Sequence, residues 1–363
     1  MTGRILVVES DAAGLRAALV VGNRLEALEI DRVDRPTRVG EVTIAKASQA
    51  IHGLGMLVKL GQGPELLLER GRDKVQPAAG DRLTVQIARD PRGEKLGVAR
   101  REIALAGPAL VHLPFETGIM SSRRLRIGDE RLQSFQARLA GYPGGWVLRR
   151  RAGHVTEEDF DAECKALAGE GESLRPPMPG LPAPDAFRRL AADYGGPSLD
   201  AIQVAGAEAE RSVMSWCAAF APSLLDRIER HAAPPGLFDQ HDLDSAIGML
   251  SEPRVPLAGG GSLMIERTEA LTAIDVNSGR ESSVLAVNLT AASEISRQLR
   301  LRHIGGIIVV DFISMNRPRD RDNVTAALAA AMADDAAQTH ILPMSPLGLI
   351  EMTRERRGPE LEL

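Results

Sequence analysis

The chain has 363 residues, 44% of them hydrophobic and 26% charged, with a net charge of −5, which describes a soluble globular protein of two or more domains. Two isolated cysteines, Cys164 and Cys217, exclude a disulfide framework and a cysteine-based zinc site and suit a reducing, cytoplasmic setting. The apolar stretch at 5–8 is broken by Glu9 and Asp11, so no signal peptide is expected, and no uncharged run is long enough to span a bilayer.

Residues 1–34 read as strand, helix or turn, then strand, with apolar runs at 4–8, 15–20 and 25–30. From 40 to about 100, short alternating stretches such as Gly55-Met56-Leu57-Val58-Lys59-Leu60 and Leu83-Thr84-Val85-Gln86-Ile87-Ala88 are closely punctuated by Gly61, Gly63, Pro64, Pro77 and Gly80. That rhythm predicts a small β-barrel. Residues 101–187 mix strand candidates (109–113, 146–149) with a helix at 157–169, whose acidic first turn suits a helix N-terminus. Five prolines between Pro176 and Pro184 mark a linker or a rigid connection. Residues 188–252 alternate helix and strand, with helical patterns at 207–219 and 223–231. From 253 onward the order is strand (262–267), strand (271–276), helix (285–302), strand (307–312), helix (320–337) and strand (340–343), an α/β layer.

Two aspartates end apolar strands in this last segment: Asp275 in Leu271-Thr272-Ala273-Ile274-Asp275-Val276-Asn277 and Asp311 in Gly305-Gly306-Ile307-Ile308-Val309-Val310-Asp311. A carboxylate at the end of a buried strand requires a compensating partner, and one shared cation would serve both. Mg²⁺ takes carboxylate oxygens and keeps several waters, so two aspartates suffice as protein ligands. Asn277 projects to the side of Asp275 if the strand continues, where an amide can orient a water or a scissile phosphate. The combination points to phosphodiester hydrolysis, with helix caps and salt-bridge partners as the competing explanation.

Arginine clusters offset the negative total: Arg123, Arg124 and Arg126; Arg149, Arg150 and Arg151; Arg317, Arg319 and Arg321; Arg354, Arg356 and Arg357. Each is either a solvated surface or a phosphate contact. Arg297, Arg300 and Arg302 complement the dipole at the end of the 285–302 helix, which accounts for them, although they could also reach a phosphate. The seven scattered histidines have no metal-ligand spacing, and Gly259-Gly260-Gly261 reads as a turn because no Lys-Ser/Thr follows it.

Longer strings make a resemblance. Gly260-Gly261-Ser262, Thr268-Glu269-Ala270-Leu271-Thr272-Ala273-Ile274-Asp275-Val276-Asn277-Ser278, Arg297-Gln298-Leu299-Arg300-Leu301-Arg302, Gly305 to Met315, and Gly348-Leu349-Ile350-Glu351-Met352-Thr353-Arg354 resemble the catalytic core of the ribonuclease E/G family of bacterial endoribonucleases. Weaker similarity runs over nearly the whole chain. The resemblance implies a multidomain α/β (α+β) architecture: an RNase H-like part (1–34 and 188–252), an S1-like barrel (35–102), a 5′-sensor region (103–187) and a DNase I-like catalytic part (253–363). It implies that Asp275 and Asp311 bind Mg²⁺ while Asn277 helps place the attacking water. It implies RNA contacts at Lys95, with Gly107, Val111 and Arg150 around a 5′-monophosphate, and Arg123 and Arg151 are counted with them.

Four departures qualify these expectations. No Cys-Pro-x-Cys link follows the metal site, so a homo-oligomer would lack the family's zinc staple. Arg151 stands where the family has a threonine, exchanging a hydroxyl for a charge. Leu57 and Leu66-Leu67-Leu68 occupy the region of the barrel's RNA-stacking phenylalanines, and each lost stack forfeits about 1–3 kcal/mol per base. The loop after Arg280 is short, and Ser314 replaces an acidic residue. The expected function is a Mg²⁺-dependent endoribonuclease that cuts single-stranded RNA in RNA processing, rRNA processing included, or decay. The rival is a non-catalytic RNA-binding homologue, and a phosphatase of small phosphate esters stands third.

Overall fold

A computed structural model describes residues 3–61, 63–70, 77–91, 93, 95–174, 180–232, 236–279, 283–357 and 361. The protein is mixed α/β with several sheets and one closed five-stranded barrel. Two compact units divide it: 1–24 with 29–237, and 25–28 with 238–363.

The first unit opens with β1 (Arg4–Asp11) and β2 (Gly14–Val21), followed by β3 (Arg24–Ile30), whose residues 25–28 belong to the second unit. The helix or turn expected at 15–20 is a strand. Asp11 Oδ1 accepts the N–H groups of Ala13 and Gly14, and Gly14 at φ +146° takes a turn that closes β1 and β2 into an antiparallel hairpin. Leu15, Ala17, Ala18, Leu19 and Val20 are all buried, so the run lacks the alternation of a half-exposed strand. The barrel follows: β4 (Val42–Ile51), β5 (Gly55–Lys59), β6 (Glu65–Leu68), β7 (Arg82–Arg89) and β8 (Gly97–Arg100), closed in the order β4-β5-β6-β8-β7. Alternate residues (Ala45, Ala47, Met56, Val58, Leu66, Leu68, Val85, Ile87) fill its interior.

Next come β9 (Leu105–Ala106), β10 (Leu110–Leu113), β11 (Gly118–Ser121), α1 (Asp129–Leu139) and β12 (Gly145–Leu148), forming a sheet in the order β11-β12-β10-β9. Helix α2 (Glu157–Ser173) is capped by Thr156, whose side chain accepts the Asp159 N–H, and it runs four residues past the expected end. Of the proline-rich stretch, 175–179 lie outside the described residues. Leu181 bridges to Val42 of the barrel.

Helix α3 (Ala186–Tyr194), β13 (Ala201–Ala205) and α4 (Ala207–Phe220) continue the unit, capped at Asp185 in the first case. The helix expected at 223–231 is a 3-10 turn (Pro222–Arg227) that gives way to β14 (Ile228–Arg230). The sheet here has the order β14-β13-β1-β2-β3.

The second unit contains the short helices α5 (Leu237–Gln240) and α6 (Leu243–Gly248), then β15 (Arg254–Pro256), β16 (Ser262–Arg267) and β17 (Thr272–Asn277). After these come α7 (Val284–Leu301), β18 (Gly306–Asp311), α8 (Pro318–Met332), β19 (Thr339–Ile341) and β20 (Leu349–Arg354). Its sheet runs β15-β16-β17-β18-β20-β19. Strand β20 has no counterpart among the sequence-expected elements, yet it separates β18 from β19. Leu263, Ile265, Ile274, Val276, Ile308, Val310, Ile350 and Met352 point from one face into a core shared with Val287, Ala291, Ile295 and Leu299 of α7 and Val324, Leu328 and Met332 of α8. The opposite residues of β17 and β18 are exposed or half-exposed.

Candidate active site

The alternation that buries Ile274, Val276 and Val310 turns Asp275, Asn277 and Asp311 to the other face, where all three are exposed. Strands β17 and β18 are parallel, with Asp275 the direct register partner of Asp311. Adjacent strands lie about 4.8 Å apart, so the two carboxylates leave neighbouring backbone positions on the same side. Their exposure corrects the premise that a buried charge demands a partner: water can solvate both groups here, and the argument for a shared cation rests on their adjacency in register, on one face, and on donor chemistry instead.

Asn277 Nδ2 donates to Asp275 Oδ2 at 2.8 Å. A carboxylate only accepts, so the amide must present its NH₂ to Asp275 and keep its carbonyl oxygen as an unspent acceptor. Behind the pair, Gly261 takes φ +93°, and a Cβ added there would stand 2.5 Å from the backbone carbonyl oxygen of Asn277. The glycine turn thus closes on the end of β17. Two exposed carboxylates with an adjacent amide are hard oxygen donors of the kind Mg²⁺ takes, with room left for waters. Among the described residues, no group of three or more His, Cys, Asp or Glu side chains could hold a metal. Arg280 lies outside the described residues.

The arginines of the Arg297-Gln298-Leu299-Arg300-Leu301-Arg302 run are spent on structure. Arg297 Nε donates to the Leu25 carbonyl and Nη1 to Glu294, Arg300 pairs with Glu26 at 3.0 Å, and Arg302 donates to Gln298 and the Glu252 carbonyl. This overturns the alternative that they reach a phosphate. Arg354, at the end of β20, is buried against Asp335 in a two-point ion pair and donates to the Ile304 carbonyl.

The residues assigned to RNA contact, Lys95, Gly107, Val111, Arg123, Arg150 and Arg151, belong to the first unit and the acid pair to the second. Lys95 is exposed beside the barrel, with Arg92 and Glu94 outside the described residues. Arg123 is exposed, and its carbonyl accepts from Arg126. Val111 is half-buried and pairs with Val147 and Ala106. Gly107 is buried in the turn between β9 and β10, where its N–H donates to the Leu110 carbonyl. Arg149 touches that turn, donating to the Gly107 and Ala192 carbonyls and to Asp193. Arg150 is half-buried. Arg151 donates to the Tyr194 and Gly195 carbonyls, and burial, with Arg4, Arg149 and Arg150 adding to it, pushes its pKa down to about 10. Its guanidinium thus contributes two backbone hydrogen bonds to the fold while it keeps its charge at neutral pH.

Two buried groups escape sequence inspection. Glu163 of α2 is fully buried, and its carboxylate accepts the N–H groups of Ala109 (3.0 and 3.1 Å) and Leu110 (2.8 Å). A Cβ on Gly107 would fall 2.2 Å from Glu163 Oε1, so glycine is required there by the carboxylate. Asn288 of α7 is equally buried and bonds to Ile313 just beyond Asp311. The available signal in both cases is a polar residue among apolar ones at helical spacing, diluted because Asp159 of α2 and Glu294, Ser296 and Gln298 of α7 are buried too. The cysteines are free and buried, which pushes both thiols up to about 12. His112 is buried between the Leu167 and Pro143 carbonyls and stacks on Trp146, so it belongs to the core.

Residues 104–357 match the model of the Ribonuclease E/G family. Ribonuclease G of Salmonella typhimurium (strain SL1344) is 29% identical across 98% of this chain and 81% of its own length. Ribonuclease E of Haemophilus influenzae is 29% identical across 99% of the chain and 42% of its own, and that of Nostoc sp. is 32% identical across 78% and 44%. No helix among the described residues is long and apolar enough to cross a membrane. A match over most of its length, with the acid pair inside the matched segment, makes this chain a member of the ribonuclease E/G family.

Proposed function

We propose that the protein is an endoribonuclease that hydrolyses single-stranded RNA with Mg²⁺ held by Asp275 and Asp311, in RNA processing or decay. The observation that carries this is the placement of the two carboxylates as register partners on one open face. When bound there, the ion supplies charge neutralisation at the phosphoryl oxygens and lowers the pKa of water. Asn277 is held by Asp275 in the orientation that leaves its carbonyl oxygen free to accept a water proton, so it positions the nucleophile. The exposed face leaves a polymer strand free to lie across the site, which suits an internal cut rather than action on a small enclosed ester.

The test is incubation of the purified protein with a 5′-monophosphorylated, single-stranded, A/U-rich RNA, with and without Mg²⁺, beside Asp275→Asn. Mg²⁺-dependent cleavage that leaves a 5′-phosphate on the downstream product is the expected result. Equal cleavage by the unaltered chain, Asp275→Asn and Asp311→Asn would end the proposal. Leu57 and Leu67 face each other on the outer barrel surface without an aromatic ring, a loss that falls on RNA capture and not on the acid pair; the rival reading is an RNA-binding homologue without activity. RNA retention with no Mg²⁺-dependent cleavage would select it.

A further inference from the structure

Asp275 and Asp311 are mounted differently. Strand β17 continues two residues past Asp275, and Asn277 is still paired with Ser262 of β16. Asp311 is the last residue of β18, and the chain leaves the sheet immediately after it. The departing segment is gripped instead by side chains. Phe312 and Met315 are buried in the core, and Arg321 of α8 donates to the Met315 carbonyl. Between them, Asn288 Nδ2 donates to the Ile313 carbonyl at 2.8 Å, and Asn288 Oδ1 accepts the Ile313 N–H at 3.2 Å.

A side-chain amide here does what a neighbouring strand would do, pairing both backbone groups of one residue. Helix stability gives no reason for it, since asparagine is a poor helix former. Packing gives none either, because burying an amide is unfavourable unless its donor and acceptor are both satisfied. Asn288 sits at 0% exposure in the stripe with Val287, Ala291 and Ala292, where an aliphatic residue would fill the space. What the amide adds is a fixed path for the backbone two residues after Asp311.

We infer that Asn288 is a positioning residue for Asp311, fixing the end of β18 so that the carboxylate meets a cation jointly with Asp275; this rests on the proposal that the acid pair holds the ion. The role is exerted through the Ile313 peptide.

The test titrates Mn²⁺, a probe that accepts the same oxygen ligands, into the full chain without RNA, with free ion read by electron paramagnetic resonance. Asn288→Leu is expected to weaken binding about tenfold, the lower end for residues that orient metal ligands. Asn288→Ala, smaller and more easily accommodated, should move the same way. Ser296→Ala is the comparison: Ser296 is 1% exposed on the same helix and donates to the Ala331 carbonyl, two helical turns away. Its loss should lower the melting temperature and leave Mn²⁺ affinity alone. Unchanged affinity in both Asn288 variants would overturn the inference while leaving the cation site standing. An unaltered chain that binds no Mn²⁺, or binds it as tightly after Asp275→Asn, would overturn the cation site and this inference with it.

Discussion

Asp275 and Asp311 stand directly opposite each other on adjacent parallel strands, both on the face of the sheet that α7 and α8 leave uncovered. Neither carboxylate supports the core, so replacing either with asparagine should change stability by no more than about 0.5 kcal/mol. Cleavage is a different matter. Loss of several kcal/mol of charge stabilisation corresponds to a rate about 10³-fold lower, at about 1.4 kcal/mol per tenfold. Single-turnover cleavage and thermal melting of Asp275→Asn and Asp311→Asn, run side by side, check both halves. A variant that melts far below the unaltered chain would show the pair to be structural.

Asn277 is expected to act on the reaction more than on binding. Asn277→Leu removes the amide beside Asp275 while keeping its size, and kcat should fall about 10²-fold, as when one oriented polar group is lost from an active site. KM for RNA should stay within a few-fold. A variant that raises KM and spares kcat would assign Asn277 to RNA binding instead.

How far this site was legible in the sequence depends on the kind of signal. Strand β17, helix α7 and strand β18 fall within two residues of their expected bounds because their apolar periods are long and end in turns. The register that makes Asp275 and Asp311 neighbours is a tertiary fact, and so is the uncovered face that leaves them exposed. Leu15 to Val20 failed for the reason that it succeeds as a strand: burial on both faces erases the alternation. Strand β20 alternates inward Ile350 and Met352 with outward Glu351 and Thr353, and ends on Arg354, a charge at an inward position whose partner Asp335 lies just after α8. No local pattern announces such a pair.

That pair makes the next prediction. Arg354 and Asp335 are both at least nine-tenths buried, with Nε–Oδ2 at 2.8 Å and Nη2–Oδ1 at 3.0 Å. Asp335→Ala should destabilise the protein by about 3–5 kcal/mol, because it strands the guanidinium charge in the core. Replacing both residues with apolar ones of similar volume should cost much less. Urea unfolding of the single and double variants gives the comparison, and equal losses would deny the coupling.

Glu163 sets a pH dependence. Burial pushes its carboxyl up to about 8 from the ordinary 4.5, against the N–H donors of Ala109 and Leu110 and the charge of Arg149, which favour the ionised form. Between those two values the folded chain keeps a proton that the unfolded chain has released. The contribution to stability is therefore complete below pH 4.5, declines across the window and is gone above pH 8. The total is on the order of a few kcal/mol, since one unit is about 1.4 kcal/mol. Glu163→Gln should flatten the fall in melting temperature between pH 5 and pH 8; a slope unchanged by the substitution would place its origin elsewhere.

The barrel offers a gain-of-function prediction. Leu57 and Leu67 are register partners on β5 and β6, half-exposed on the outer surface, next to the Lys59–Glu65 ion pair. Each position is half-exposed and has a cross-strand neighbour beside it. Base stacking on an aromatic ring contributes about 1–3 kcal/mol, so Leu57→Phe and Leu67→Phe should each lower the Kd for single-stranded RNA about 5- to 150-fold. The gain should persist at high salt, since stacking, unlike phosphate contact, does not depend on counterion release. Fluorescence anisotropy with a short labelled RNA at two salt concentrations measures this. Tighter binding that vanishes at high salt would trace the effect to charge, and no tightening at all would mean that RNA does not cross this face of the barrel.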